Sequence, residues 1–415
     1  MKILYLAHRI PYPPNKGDKI RSFNEIKHLS KNHEIYLCCL ADNPKDIKYT
    51  NELKKYCKTV SVVKINPKLS KLKSALYIFS NQPLTVPYFY SRSLQKTINR
   101  LLSAIAFDCI FCFSSPMAEY VFKSKTYKNN PDSRSTRLIM DFVDVDSDKW
   151  IQYSMNERWP LGLVYKLEGK RLADYEKQIA NSFDHSIFVS NNEAAVFKSF
   201  CLQSNNIAAI PNGVDVEYFS PEVPVGSLFI DQESNKINPD KKSSILLFTG
   251  AMDYNANVDG VMWFCEKIFP AIRSRFHDVL FYIAGSNPDQ KVLNLKNIEG
   301  VHVTGFVDDI RPYYKTADIC VVPLRMARGI QNKVLEAMAM GRPVVATSRA
   351  IQGIKPDNGK QVIVADSPDG FAFNVVNLLK EKKKREEIGK NNLTWVKKNY
   401  RWPTHMNRLE QLIIS

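Results

Sequence analysis

Apolar residues in this chain gather into short unbroken runs rather than alternating with polar ones. In the first half they stand at 2–7, 34–40, 59–65, 108–113, 137–143 and 184–190. Runs of this length suit strands covered on both faces of a parallel sheet. Between them the period lengthens to that of a helix, as in Ile20, Phe23, Ile26 and Leu29. The second half repeats the theme at 243–250, 279–285, 301–305, 317–323, 342–347 and 361–366. Strand and helix in alternation predict an α/β chain of two Rossmann-like, doubly wound domains facing each other across a cleft.

AIPNGVDVEYFSP (209–221) leads into a polar segment reaching Lys242, where Pro221, Pro224, Asn235 and Pro239 predict a loop or hinge. A first domain is therefore expected over 1–213 and a second over 214–394. The terminal stretch 395–415, with Trp395, Tyr400, Trp402, Leu409 and Ile413, is aromatic enough to pack back on the first.

Charge adds a direction. The 415 residues carry a net +16, and residues 1–213 hold 31 Lys and Arg against 19 Asp and Glu. The first half is expected to meet something anionic: nucleic acid, a membrane surface or phosphorylated small molecules. The run at 378–392 is expected to be a solvated helix face, not a nucleic-acid site. Eight cysteines without a zinc-ligand rhythm suit a reducing compartment. The apolar start, Ile3 to Ala7, is too short for a signal peptide and reads as a strand. A cytoplasmic protein is expected, with attachment at the inner face of the membrane left open.

The most informative stretch is 317–347. A strand ends at Pro323, a loop with Arg325, Arg328 and Gly329 follows, and a helix is predicted from about Ile330 to Met340, ended by Gly341. Ligands of doubly wound sheets sit at the carboxyl ends of strands. The free amides of Ile330, Gln331, Asn332 and Lys333 would make an anion site, with Arg325, Arg328 and Lys333 adding charge. Asn332 and Glu336 share a helix face, and Glu336 has the chemistry to accept from a ribose diol. The plainer alternative is a surface helix with a routine Lys–Glu pair.

VLEAMAMGRPVVAT (334–347) resembles the LEAMA-G-PVVA segment of family-4 glycosyltransferases, which have the two-domain GT-B fold. IPNGVDVEYF (210–219), SIFVSNNEA (186–194) and GFVDDIRPYYKTADICVVP (305–323) resemble further motifs of that family. The opening HRIPYPPNKGDKIRSFNEIKHLS (8–30), with DFVDVDSDKW (141–150), is similar to sugar transferases of exopolysaccharide synthesis and the PEP-CTERM sorting system. The resemblance implies retaining transfer of a sugar from a nucleotide donor, UDP- or GDP-linked, to a saccharide acceptor, lipid-linked in the narrower group, with no cofactor and no metal. It also implies that Glu336 contacts the donor ribose and the amides near Ile330 to Lys333 the diphosphate. The turn Gly17–Asp18–Lys19 would close over the reacting sugar.

Two positions depart from the family pattern. A glutamate usual eight places before Glu336 is replaced by Arg328, and the turn beginning Thr249–Gly250 has no basic residue. Arg325, Arg328 and Lys333 are therefore read as a substitute diphosphate clamp. A histidine usual after a central strand of the first domain is absent, which leaves Asp144 as the candidate to steady the reacting centre or orient an acceptor hydroxyl. Alternatively, Asp141 to Asp148 cap the following helix. The cluster lacks the Gly and distal Glu of a calcium loop, so no metal is expected.

A nucleotide-sugar epimerase of the same fold and a non-catalytic binding protein are the rival readings. A nicotinamide enzyme is disfavoured, since no strand is followed by G-x-G-x-x-G. Lysines at 45–73 followed by Leu72, Leu76, Tyr77, Phe79, Tyr88, Phe89 and Tyr90 read either as an anionic-membrane surface or as a solvated helix beside core aromatics.

Overall fold

The computed structural model describes residues 1–129, 135–202, 206–222, 243–354, 356 and 360–414. The segment expected to be a loop or hinge lies, from 223 to 242, outside the described residues. The chain divides into two compact units, Met1–Pro211 with His405–Ser415, and Asn212–Thr404.

The first unit holds seven strands: β1 (Lys2–Ala7), β2 (Glu34–Ala41), β3 (Thr59–Lys64), β4 (Cys109–Phe113), β5 (Arg137–Val143), β6 (His185–Phe188) and β7 (Ile207–Ala209). They pair in parallel in the order β3-β2-β1-β4-β5-β6-β7. Every residue of β4 is buried, as an unbroken apolar run between two helical layers demands. The second unit has six: β8 (Ile245–Thr249), β9 (Leu280–Ala284), β10 (Val301–Gly305), β11 (Ile319–Val322), β12 (Val344–Ala346) and β13 (Val362–Val364), also parallel, ordered β10-β9-β8-β11-β12-β13. Both sheets reverse their winding at the centre, between β1 and β4 and between β8 and β11. Doubly wound sheets bind their ligands at that switch point.

From His405 on, the chain belongs to the first unit. Glu410 accepts from His28 Nε2 and from Asn32 there, both at 2.9 Å. Residues 395–404, grouped from sequence with that segment, lie in the second unit. There Tyr400 gives its carbonyl to Val214 at 2.7 Å, and Gly213 is required because a Cβ would stand 2.6 Å from the Trp402 nitrogen.

Tyr88, Phe89 and Tyr90 are not an exposed aromatic patch. Phe89 and Tyr90 pack on the core, Tyr90 stacking on Tyr120, and Tyr88 is half-buried. The cysteines are buried.

Candidate functional site

At the switch point of the first unit, β1, β4 and β5 end side by side. The pairing of β5 with β6 shifts between Asp141 and Val143, and Val143 takes a φ of 68°. A β-branched residue in the left-handed region is an outlier, and such strain costs about 1–3 kcal/mol. Asp141 holds the turn in place. Its Oδ1 accepts the Val143 amide at 2.8 Å, and its Oδ2 takes Arg21 Nε at 2.7 Å and Nη2 at 2.6 Å. Arg21 also donates to the Ile210 carbonyl, and both Arg21 and Asp141 are wholly buried.

Asp144 follows directly. The helix Asp146–Asn156 does not use it as a cap: the Val145 amide goes to Glu193, and the Ser147 amide to Glu176. That leaves Asp144 Oδ1 buried and without a hydrogen-bond partner, while Oδ2 lies 3.6 Å from Lys149 Nζ. Burial raises the Asp144 carboxyl above its ordinary range, and Lys149 opposes the rise. Lys149 also pairs with Asp146 at 3.0 Å. Among the described residues no group of His, Cys, Asp and Glu is placed to hold a metal ion.

Two further atoms in the same condition stand after the neighbouring strands. His8 Nδ1, after β1, and Ser115 Oγ, after β4, are buried and unpartnered. Buried polar atoms are normally satisfied, so three on adjacent strand ends mark where a polar ligand would complete the set. Sequence alone gives no reason to single out Ser115. Its neighbour Ser114 has a φ of 76°, a second left-handed residue beside Val143.

Gly17, Asp18 and Lys19 open the helix Gly17–Leu29 next to His8. Asp18 Oδ2 takes Arg9 Nη1 at 2.8 Å and lies 3.3 Å from His8 Nε2. Burial works to raise the Asp18 carboxyl, but the His8 hydrogen bond and the Arg9 charge hold it far below the usual range. Lys19 is bound to Asp46 at 2.5 Å. A Cβ at Gly17 would meet nothing within 4 Å, so no protein neighbour requires the glycine.

In the second unit the helix runs Asn332–Ala339, with Gln331 before it and no side chain capping its first turn. Gly329 bends the approach with a φ of 60°, and Gly341 ends the helix at 63°. Lys333 crosses to the end of β8. Its Nζ donates to Asn257 Oδ1 at 2.6 Å and sits 4.1 Å over the Phe248 ring. Burial brings the Lys333 ammonium down to about 7, with Glu336 pulling the other way. Gly250 makes the crossing possible: a Cβ there would stand 2.7 Å from Asn257 Nδ2 and 3.0 Å from Lys333 Nζ.

Glu336 lies one turn further on. Its Oε2 accepts from the Tyr314 hydroxyl at 2.9 Å, which is itself 2.7 Å from Thr249 Oγ1. Burial raises the Glu336 carboxyl, while Tyr314 and Lys333 lower it. Asn332 accepts from Asn212 at 3.2 Å, which brings NGVD (212–215) to the start of the helix.

The structure thus gathers Gly250, Asn332, Lys333 and Glu336 at the β8–β11 switch point. Arg325 is directed elsewhere, with its guanidinium paired to Asp259 in a bidentate contact and 5.8 Å from the Trp263 ring. Ile330 is buried, and Arg328 and Gln331 are half-buried on the loop between. Asn257, Tyr314 and Thr249 are the residues sequence reasoning missed. Tyr314 stands within one of the motifs that carry the resemblance, but nothing in its spacing points to Glu336.

Residues 243–381 match the family model described as glycosyl transferases group 1. A Klebsiella pneumoniae protein, described as an uncharacterized 44.6 kDa protein in the cps region, is 23% identical over 413 residues, covering 96% of each chain. A GDP-mannose-dependent alpha-(1-6)-phosphatidylinositol monomannoside mannosyltransferase of Mycolicibacterium smegmatis is 24% identical over 255 residues, which is 57% of this chain and 64% of that one. Among solved structures, Anabaena HepE in complex with UDP and glucose superposes with a TM-score of 0.69 at 14% identity, covering 100% of both chains. At that identity the likeness establishes the fold, which is GT-B.

Proposed function

We propose that this chain, which has the GT-B fold and over residues 243–381 resembles group 1 glycosyl transferases, moves a hexose from a UDP- or GDP-linked donor, with retention, to a lipid-linked saccharide acceptor. The observation that carries this reading is the convergence of Lys333, the open amides of the helix Asn332–Ala339 and Glu336 at one switch point. The amides and the ammonium offer charge for a diphosphate, and the carboxylate one turn away accepts from ribose hydroxyls. As the sugar–phosphate bond breaks, charge grows on the leaving oxygen, where a fixed cation helps most.

Arg325 joins this clamp by releasing Asp259, and Arg328, Gly329, Ile330 and Gln331 shape the loop around the phosphates. The first unit takes the acceptor. Asp144 accepts from its attacking hydroxyl or steadies positive charge on the sugar, and the turn at Gly17 and Asp18 covers it. Metal is not needed, because side-chain and helix charge fill the role Mg²⁺ takes elsewhere. The K. pneumoniae relative from a cps region supports work on a cell-surface polysaccharide. We place that work at the cytoplasmic face of the membrane, where a lipid-linked acceptor would be met. HepE with UDP and glucose, and the GDP-mannose-dependent relative, support a nucleotide-sugar donor.

The test is release of nucleoside diphosphate from a panel of nucleotide-sugars, with and without a lipid-linked saccharide acceptor. Release that depends on acceptor supports the proposal. Acceptor-independent release would instead favour an epimerase, and no release with retained binding would favour a binding protein.

A further inference from the structure

Leu69, Leu72, Leu76 and Phe79 occupy the helix Pro67–Ala75 and the 3-10 turn Leu76–Phe79 that continues it. Spacings of three and four residues put them on one face. All four are exposed, Phe79 at 98%. A second exposed set, Met155, Trp159, Leu161 and Leu163, stands where the helices Asp146–Asn156 and Leu161–Ser182 meet, with Trp159 at 83%. The two helices form a hairpin, since a Cβ at Gly169 would touch Ile151 and Ser147, so this set is the hairpin's tip.

The same long helix ties the sets together. Arg171 donates to the Tyr77 and Ile78 carbonyls at 3.3 and 3.0 Å, and Glu168 accepts the Leu84 and Thr85 amides. Soluble monomers seldom leave apolar patches beyond about 300–600 Å² uncovered unless they are used.

Charge says what covers them. Exposed Lys64, Lys68 and Lys71 flank the first set, and no acidic residue occurs from 64 to 79. Exposed Arg158, Lys166 and Lys170 flank the second, against exposed Glu157 alone, because Glu168 is buried. Lys73 takes no part, since its ammonium donates to the Tyr90 carbonyl at 2.9 Å. Lysine is depleted in the cores of protein–protein interfaces. Leucine, phenylalanine and tryptophan rimmed by cations are what an anionic lipid surface selects: charge for approach, apolar area and an indole for insertion.

We propose that these two apolar ridges together form a docking surface for an anionic phospholipid bilayer. No helix of the described residues is long and apolar enough to cross a membrane, so the contact is peripheral. The proposal stands apart from sugar transfer, because vesicle binding is read without turnover.

The full chain would be co-sedimented with vesicles of phosphatidylglycerol and phosphatidylcholine, and with phosphatidylcholine alone. Binding is expected to the anionic vesicles, and to weaken at high salt. Changing Lys64, Lys68 and Lys71 together to Glu should lower partitioning about 10²-fold, at roughly fivefold for each cation. Leu76→Ser with Phe79→Ser should cost about tenfold or more, and so should Trp159→Ser with Leu161→Ser. These side chains are exposed, so circular dichroism and melting temperature should stay unchanged. Absence of binding to anionic vesicles at low salt would overturn the proposal, as would binding that ignores either apolar pair. Self-association abolished by the same changes, without vesicle binding, would make this face a contact between copies and also overturn it.

Discussion

Asp141 Oδ1 accepts the amide of Val143 at 2.8 Å, and Val143 stands at a φ of 68°. The carboxylate pins a strained turn whose next residue is Asp144, and Arg21 pins the carboxylate. Asp141→Asn disturbs a wholly buried ion pair, so a loss of about 3 kcal/mol or more in unfolding free energy is expected by denaturant titration. Val143→Gly relieves the strain while adding chain entropy, so stability should change by no more than about 1 kcal/mol. If the turn aims Asp144, turnover should still fall about tenfold or more. Unchanged turnover in Val143→Gly would remove the aiming role.

Much of this scaffold is legible in the order of residues alone. Strands buried on both faces leave continuous apolar runs, so β1, β4 and β8 appear in sequence close to where they lie. The helix Asn332–Ala339 declares itself through Gly341 and its apolar spacing. What cannot be read are partners set by tertiary packing. In sequence Asp144 is as suited to capping as to chemistry; in the fold Glu176 and Glu193, on helices distant in the chain, take the amides it would have capped. Arg325 reads as free for phosphate, yet Asp259 holds it from 66 residues away. Val143 carries no sign of its backbone conformation, because a valine there is against propensity and is imposed by its neighbours.

Gly250 is a sharper probe of the second unit than any charged residue. At a φ of 153°, with Lys333 Nζ 3.0 Å from where its Cβ would be, Gly250→Ala should push Lys333 off Asn257. Calorimetry should show about tenfold or greater weakening for a nucleotide-sugar, with a smaller effect on the free nucleoside. Equal affinities for wild type and variant would mean that Lys333 does not reach the ligand.

If Lys333 holds the donor diphosphate, binding should depend on pH. Its pKa is lowered to about 7 in the free protein, and an anion beside it favours the ammonium form. Binding should therefore take up a proton, and affinity should be greatest below about pH 7. Above that it should fall by up to about tenfold per unit until the bound form also loses its proton. A diphosphate diester has no ionisation of its own near neutrality, so a nucleotide-sugar is the proper ligand. Calorimetry at pH 8 in buffers of different ionisation enthalpy should detect the uptake and lose it in Lys333→Gln. Identical heats in all buffers for the wild type would contradict the assignment.

Glu336 and Tyr314 share one hydrogen bond, but they should fail differently. If Glu336 accepts from the ribose, Glu336→Gln should reduce nucleoside diphosphate affinity by about tenfold, the worth of a hydrogen bond to a charged group. Tyr314→Phe leaves the carboxylate in place and removes a buried hydroxyl held by Thr249, so stability should drop by about 1–3 kcal/mol. A Glu336→Gln variant with unaltered affinity for both UDP and GDP would count against the ribose contact.

Acceptor-dependent release of nucleoside diphosphate, followed in EDTA for the wild type and Lys333→Ala, tests the central claim most directly. Transfer by a cation-and-helix phosphate clamp predicts that release requires the saccharide acceptor, persists in EDTA and falls about 10²-fold or more in the variant. Release abolished by EDTA and restored by Mg²⁺ or Mn²⁺, or a variant as fast as the wild type, would contradict it.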